Sequence, residues 1–299
     1  MIPVPIPSGL TPSGTGLPAT AAGIETLRRD ARRARATCIQ MAHDARHGHL
    51  KSALSCIDVL VALYGGFLNI TPDTLCLPGR DRFLFSKGHA VTALYAVYAL
   101  YGYLRPAELD DYCRTGGRLP DHPCRHALPL LEMSSGSLGY GLGIGTGMMY
   151  GMMLAGKPGR VVALLSDGEC NEGSVWEAAM FAAAHGQNRL LAIIDYNGLQ
   201  AVGRSAELMA PTEIAEKFQG FGWNARTIDG NDLEQVVETL AAVPFAPDRP
   251  SVLVARTRSG AGVSFMEDDL AWHYRAPSAE DLAKALAELG VAPLHREQP

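Results

Sequence analysis

Apolar residues recur every three or four positions from Ile24 through Leu27, Ala31, Ala34, Cys38 and Met41 to Ala45, with arginines between them. That spacing predicts an amphipathic helix whose arginine-rich face is solvated. Residues 53–68 are apolar nearly all round, which predicts a helix buried in the core or at a subunit interface. Short apolar runs then predict strands at 82–85, 161–165, 190–195, 225–228 and 252–256. Helical stretches near 89–101, 174–185, 212–221 and 232–242 separate most of them. Such alternation predicts an α/β fold, a doubly wound and mostly parallel sheet with helices on both faces. Ligands of such sheets bind outside the carboxyl ends of the strands.

No internal repeat or interior linker interrupts this pattern. Residues 1–22, rich in Pro, Gly, Ser and Thr, read as a flexible tail. Residues 23–282 read as one domain and 283–299 as a C-terminal tail. From Met133 to Gly156 there is no charge, a length that could span a bilayer. The segment carries eight glycines and few large aliphatics, so it reads as a buried turn and helix. The methionines at 148–153 read as interface core.

Composition narrows the classes. At 299 residues, 47% apolar and 19% charged, the chain can bury a core without disulfides. A net charge of -5 argues against nucleic acid as the main partner. The six cysteines form no CxxC pair, and no signal-like segment opens the chain, which suggests reduced thiols in the cytoplasm.

Two strand ends are polar in the same way. The run at 161–165 passes into Ser166-Asp167-Gly168-Glu169, and the run at 190–194 into Asp195-Tyr196-Asn197-Gly198-Leu199. Adjacent parallel strands would bring Asp167 and Asn197 together. A carboxylate, an amide oxygen and a backbone carbonyl suit Mg²⁺ or Ca²⁺, with phosphate oxygens completing the shell. Gly168 and the helix beginning near Gly173 offer N–H groups to such a phosphate. The plainer alternative is that Asp167 caps a helix and Asn197 sits in a turn.

The spacing of DG and N, with the fuller text SDGECNEGSVWEA and IIDYNGLQ, resembles the N-terminal part of transketolases. The resemblance covers roughly residues 24–280. It implies thiamine diphosphate as cofactor and a metal held by Asp167, the Asn197 side chain and the Leu199 carbonyl. Ser166 departs from the family glycine, and a small local adjustment is expected there. RHGHLKSALSCIDVLVALY, DRFLFSKGHAVTALYAV, LPDHPCRH and SFMEDDLAWHYRAPS resemble family segments. They imply His49 as an active-site histidine, His89 near the cofactor, His122 on the donor sugar's hydroxyls, and His273 near the diphosphate and substrate. His43, His126, His185 and His295 read as surface. SSGSLGYGLGIGTGMM resembles the family's glycine-rich loop and implies Ser137, Leu138 and Gly139 near the thiamine ring, with Tyr140 in place of a glutamine. Tyr140 is either core packing or a narrowing of the substrate channel. Glu172 and Glu177 match glutamates at the subunit interface near the cofactor. Glu169 is grouped with the cofactor-facing residues, although a helix N-terminal acid is its plain reading. Lys51 stands where many transketolases have a small residue.

The family's pyrimidine-binding and C-terminal regions have no counterpart in this chain. The resemblance therefore implies half an active site, completed by a separate chain in an α2β2 assembly. The implied activity is transfer of a two-carbon ketol unit from a sugar or sugar phosphate. Alternatives are a deoxyxylulose phosphate synthase or dehydrogenase-like enzyme, a biosynthetic pair serving an unusual sugar or a carrier protein, and a non-catalytic cofactor-binding regulatory subunit.

Overall fold

Five strands build one sheet: β1 (Arg82–Phe85), β2 (Val161–Ser166), β3 (Leu190–Tyr196), β4 (Asn224–Asp229) and β5 (Ser251–Arg256). Every pairing is parallel and the order is β1-β2-β3-β5-β4. The computed structural model describes residues 16–18, 20–209 and 213–292. Most of the expected N-terminal tail, residues 1–15, lies outside the described residues, as does the end of the chain from 293 to 299.

The strands carry few polar residues because both sheet faces are covered. Val162, Leu164, Leu191, Ile193 and Leu253 face one core, and Val161, Ala163, Leu165, Leu190, Ile194 and Val252 face the other. The first core is closed by α1 (Ala21–Ala45), α2 (Leu50–Ser55), α3 (Ile57–Ala62) and α4 (Val91–Leu100). The second is closed by α5 (Tyr140–Leu154) and α6 (Gly173–Ala184). After α7 (Ser205–Met209), helix α8 (Ile214–Gly220) joins the second core, whereas α9 (Leu233–Ala241) and α10 (Ala279–Leu289) join the first. The expected doubly wound α/β sheet is therefore present.

Several expectations shift in detail. The apolar stretch at 53–68 is not one helix: the backbone of Cys56 (φ -95°, ψ 5°) separates α2 from α3, and a π-helical turn follows at Leu63–Phe67. It is buried within this chain. The arginine face of α1 is not wholly solvated, because Arg35 is buried against Asp58 and donates to the Ala261 carbonyl at 2.8 Å. Helix α1 begins at Ala21, two residues before the expected boundary, because the Thr20 side chain accepts from the Gly23 N–H. The expected C-terminal tail at 283 is also corrected. A Ser278/Asp281 capping box starts α10, and Ala285 and Leu289 are buried against the first core, so packed structure continues to Leu289. The uncharged segment becomes a turn followed by the 15-residue α5, and no helix among the described residues is long and apolar enough to cross a membrane.

The sheet is held at both ends by charge. Where β1 and β2 begin, Asp81 accepts from the Arg160 backbone N–H at 2.7 Å and from its guanidinium at 2.6 Å. Where β1 and β3 end, Lys87 and Asp195 form a fully buried ion pair. Lys87 also donates to the Ser52 carbonyl at 2.9 Å, and Asp195 accepts from the hydroxyls of Ser55 and Thr257. The pair thus joins β1, β3, the segment after β5, and α2.

Removing one member leaves an uncompensated charge in the core. Lys87→Met is expected to cost about 3–5 kcal/mol of stability, and adding Asp195→Asn is expected to recover part of it. Chemical denaturation of wild type, single and double variants measures this, and an unmoved midpoint for Lys87→Met would contradict it.

Candidate active site

The carboxyl ends of β1, β2, β3 and β5 meet at one rim of the sheet. Register pairs Ser166 with Asp195 and Asp195 with Ala255, so the chain continues from each strand at nearly the same level. Asp167 leaves β2 buried, and its Oδ2 accepts from the Ser205 hydroxyl at 2.6 Å and the Gly198 N–H at 3.2 Å. Asp167 and the Asn197 loop are therefore adjacent, as the strand ends predict. Asp167 precedes the short 3₁₀ turn Gly168–Asn171 but makes no side-chain cap bond, so capping does not account for it. Burial pushes its carboxyl above the ordinary range, opposed by the bond from Ser205. Asn197 does make the turn: its Oδ1 accepts from the Leu199 N–H at 3.0 Å, and its amide reaches Asp195 at 3.4 Å.

Ser166 closes β2 without a left-handed backbone, and its hydroxyl accepts from the Glu169 N–H at 3.2 Å. Glu169 corrects the sequence reading. Its carboxylate is fully buried and accepts from the Gly139 N–H at 2.8 Å, the Ser166 N–H at 3.4 Å and the Ser86 hydroxyl. It is an internal tie between the glycine loop and two strand ends, not a cofactor-facing group. Gly139 needs its glycine: φ is 89°, and a Cβ there would lie 2.6 Å from Ser174 Oγ and 2.7 Å from Glu172 Cβ. Ser137 is exposed, Leu138 half-buried and Gly139 buried, so these neighbours sit at different depths of the rim. Glu172 and Glu177 are exposed at the start of α6. Tyr140 is 60% exposed, which excludes core packing within this chain.

All four singled-out histidines come together. His49 lies with its ring centroid 6.0 Å from His89, 6.3 Å from His122 and 5.1 Å from His273. His89 and His273 are 6.1 Å apart. The close approach depends on Gly48, where a Cβ would sit 2.6 Å from the Tyr274 carbonyl oxygen. It also requires His49 itself to take a left-handed backbone (φ 65°), while its N–H donates to the His273 carbonyl at 2.7 Å. Such a conformation is uncommon for a non-glycine residue and marks a position fixed by its surroundings.

Burial, then the charges of neighbouring imidazoles, lowers His49 to about 4. Burial, then Lys51, lowers His273 to about 4. His89 is pushed well below its usual range by burial and by Lys87. These rings are neutral near pH 7, each with one donor and one acceptor nitrogen. The Nδ1 atoms of His49 and His273 are buried without a hydrogen-bond partner among the described residues. Uncharged imidazoles with unspent nitrogens suit sugar hydroxyls and proton exchange.

Sequence reasoning missed three contributors. His47 is a fifth histidine of the cluster, 5.6 Å from His49 between centroids, and it meets Asp121 at 3.6 Å. Asp121 also meets His122 at 3.3 Å, so one carboxylate orients two rings. The signals were the alternation in HGH and the acid directly before His122. Ser205 was invisible, because only folding brings α7 to Asp167. His185, read as surface, packs on Phe181 at 4.1 Å between centroids.

A histidine kept neutral by burial gains its proton in the unfolded chain, near its ordinary value of 6.5, before the folded chain does, near 4. Stability from this source is intact above pH 6.5 and is lost as pH falls toward 4. The double variant His49→Asn, His273→Asn is expected to lose less Tm over that interval than the wild type. Thermal melts across it test this, and parallel slopes would refute the assignment.

Comparison with known proteins identifies the family. Residues 27–297 match the family described as "Transketolase, thiamine diphosphate binding domain". The chain is 34% identical over 266 residues to one of the named subunits of an apulose-4-phosphate transketolase, from Phocaeicola vulgatus, covering 89% of this chain and 94% of the relative. It is 36% identical over 242 residues to 6-deoxy-6-sulfo-D-fructose transketolase subunit SqwG of a Clostridium species, covering 81% and 88%. It is 34% identical over 269 residues to the transketolase of Homo sapiens, covering 89% of this chain but 42% of that protein. The Campylobacter jejuni transketolase structure shares the fold with a TM-score of 0.81 at 24% identity, over 91% of this chain and 43% of that one. With fold, family match and relatives in agreement, the chain belongs to the transketolase family as its N-terminal, thiamine diphosphate binding part.

Proposed function

We propose that this chain is the cofactor-diphosphate half of a two-chain transketolase that moves a two-carbon ketol unit between sugars or sugar phosphates. The observation that carries the reading is the match to relatives named as subunits: the chain is 34% identical to one of them over 94% of that relative's length.

The donor set at the rim fits the cofactor. Asp167, the Asn197 amide oxygen and the Leu199 carbonyl offer hard oxygen ligands for Mg²⁺ or Ca²⁺. When bound, thiamine diphosphate supplies the carbon nucleophile and electron sink that cleavage of a bond beside a carbonyl requires. This chain's residues then position and protonate. His122, half-buried and braced by Asp121, accepts or donates at a donor hydroxyl. His49, His89 and His273 remain neutral, and those of them with unspent nitrogens present these to sugar and phosphoryl oxygens.

A partner chain fits the surface beside the site. Gly143, Gly147 and Gly151 lie on an exposed face of α5 where an added Cβ would meet nothing within 4 Å. Tyr140, Ile144, Leu154, Met180 and Phe181 are exposed around it, with Glu172 and Glu177 at its edge. An uncovered apolar face of this kind is characteristic of an interface. We place the pyrimidine-binding partner there, in an α2β2 assembly. Two relatives are named for the sugars apulose 4-phosphate and 6-deoxy-6-sulfo-D-fructose, which favours a specialised sugar substrate over a housekeeping one.

Pull-down from the native cell with mass spectrometry is expected to recover a second chain in near-equal amount, and recovery of a stable homodimer alone would sink the two-chain reading. In the assembled complex, Asp167→Ala is expected to abolish metal-dependent cofactor binding. His122→Ala is expected to spare cofactor binding but slow donor cleavage by about 10²–10⁴-fold. Undiminished turnover would remove His122 from its role.

A further inference from the structure

Lys51 stands in the first turn of α2, two residues after His49, and is fully buried. Burying a cation is costly unless opposite charge answers it. Lys87 has that answer in direct contact with Asp195. Among the described residues Lys51 has no such contact: its ammonium donates to a neutral acceptor, the Gln200 carbonyl, at 3.1 Å. An ammonium carries three donors, so this bond leaves two N–H groups for another acceptor.

The surroundings say what that acceptor is. Gln200 directly follows Leu199, so Lys51 is tied to the loop that carries the Asn197 side chain and the Leu199 carbonyl. The carboxylate that attracts it most strongly is Asp167, followed by Asp269 and Asp268, none of them in contact with it. Its charge also reaches His273. Its own carbonyl accepts from the Gly260 N–H at 2.9 Å, which holds the backbone from which the side chain projects. A buried cation with donors to spare is thus tied to the strand-end loop and stands two residues from His49 of the imidazole cluster.

We propose that Lys51 is a second cation of the cofactor site, donating to phosphoryl oxygens of the diphosphate alongside the metal held by Asp167 and Asn197. This rests on the cofactor reading above. The diphosphate supplies the anion that the buried ammonium lacks, and the ammonium supplies charge that the metal alone would otherwise provide. The Gln200 bond keeps the loop in place while the two remaining donors serve the ligand.

The test uses the assembled two-chain complex, with binding followed by isothermal titration or tryptophan quenching. Thiamine diphosphate and thiamine, which lacks the phosphates, are the probes. Lys51→Met is expected to weaken thiamine diphosphate about tenfold or more, the scale of a charge-assisted hydrogen bond, and to leave thiamine unchanged. The Mg²⁺ concentration for half-saturation should rise in the same variant. Lys51→Arg should restore most of the affinity. Lys51→Gln, which keeps a donor for the Gln200 carbonyl without charge, should behave like Lys51→Met. Equal weakening of both probes, or full affinity in Lys51→Gln, would reduce Lys51 to a loop anchor and overturn the proposal. Asp167→Ala separates the two readings. If it retains metal-dependent binding, the cofactor site itself is misplaced; if it loses binding while Lys51→Met does not, only the role of Lys51 fails.

Discussion

One buried ion pair holds the functional rim together. Lys87 and Asp195 are both fully enclosed, and neither charge could remain there alone. Their remaining bonds go to Ser52, Ser55 and Thr257, on α2 and on the segment after β5. The pair therefore sets the spacing between the ends of β1 and β3, the position of α2, and the path after β5. His89 lies two residues past Lys87, and Asn197 two residues past Asp195. Buried pairs add little net stability compared with apolar packing, and here the return is geometry.

From that frame the rim divides into two chemical regions. One is a set of oxygens at the ends of β2 and β3, with Asp167 held by Ser205 and by the Gly198 N–H. The other is a group of imidazoles that burial keeps uncharged. The regions differ in what they can bind. Hard oxygens are the donors that divalent cations such as Mg²⁺ and Ca²⁺ take. Neutral rings favour hydroxyls and shared protons. Backbone compromises sit at the boundary of the second region: the left-handed His49 and the glycine at 48, without which the Tyr274 backbone could not approach. Glu169 does comparable work beneath the surface, fixing Gly139 to the ends of β1 and β2.

Much of this was legible in the sequence. The apolar runs located every strand within a residue or two, because a parallel sheet covered on both faces admits few polar residues at its centre. Asp167 and Asn197 were readable as a pair, because a strand end in such a sheet has a known direction and a neighbour. The four histidines were readable from the segments around them. Local signals can be read where short-range chemistry determines the outcome.

What only the tertiary structure decided depends on contacts between residues far apart in the chain. Nothing near Glu169 shows that it would turn inward to Gly139, 30 positions before it. Nothing in the arginine stripe of α1 marks Arg35 as the one that meets Asp58 in the core. Ser205, His47 and Asp121 entered the site through packing, and Lys51 acquired its meaning from a carbonyl 149 residues later. The sequence by itself determined the sheet, its direction and the chemical types collected at its rim, because hydrophobic period and strand-end polarity are local. Which polar groups are consumed in holding the rim, and which are left free to act, was decided by burial, since only the assembled core shows where a charge or hydroxyl has been given a partner.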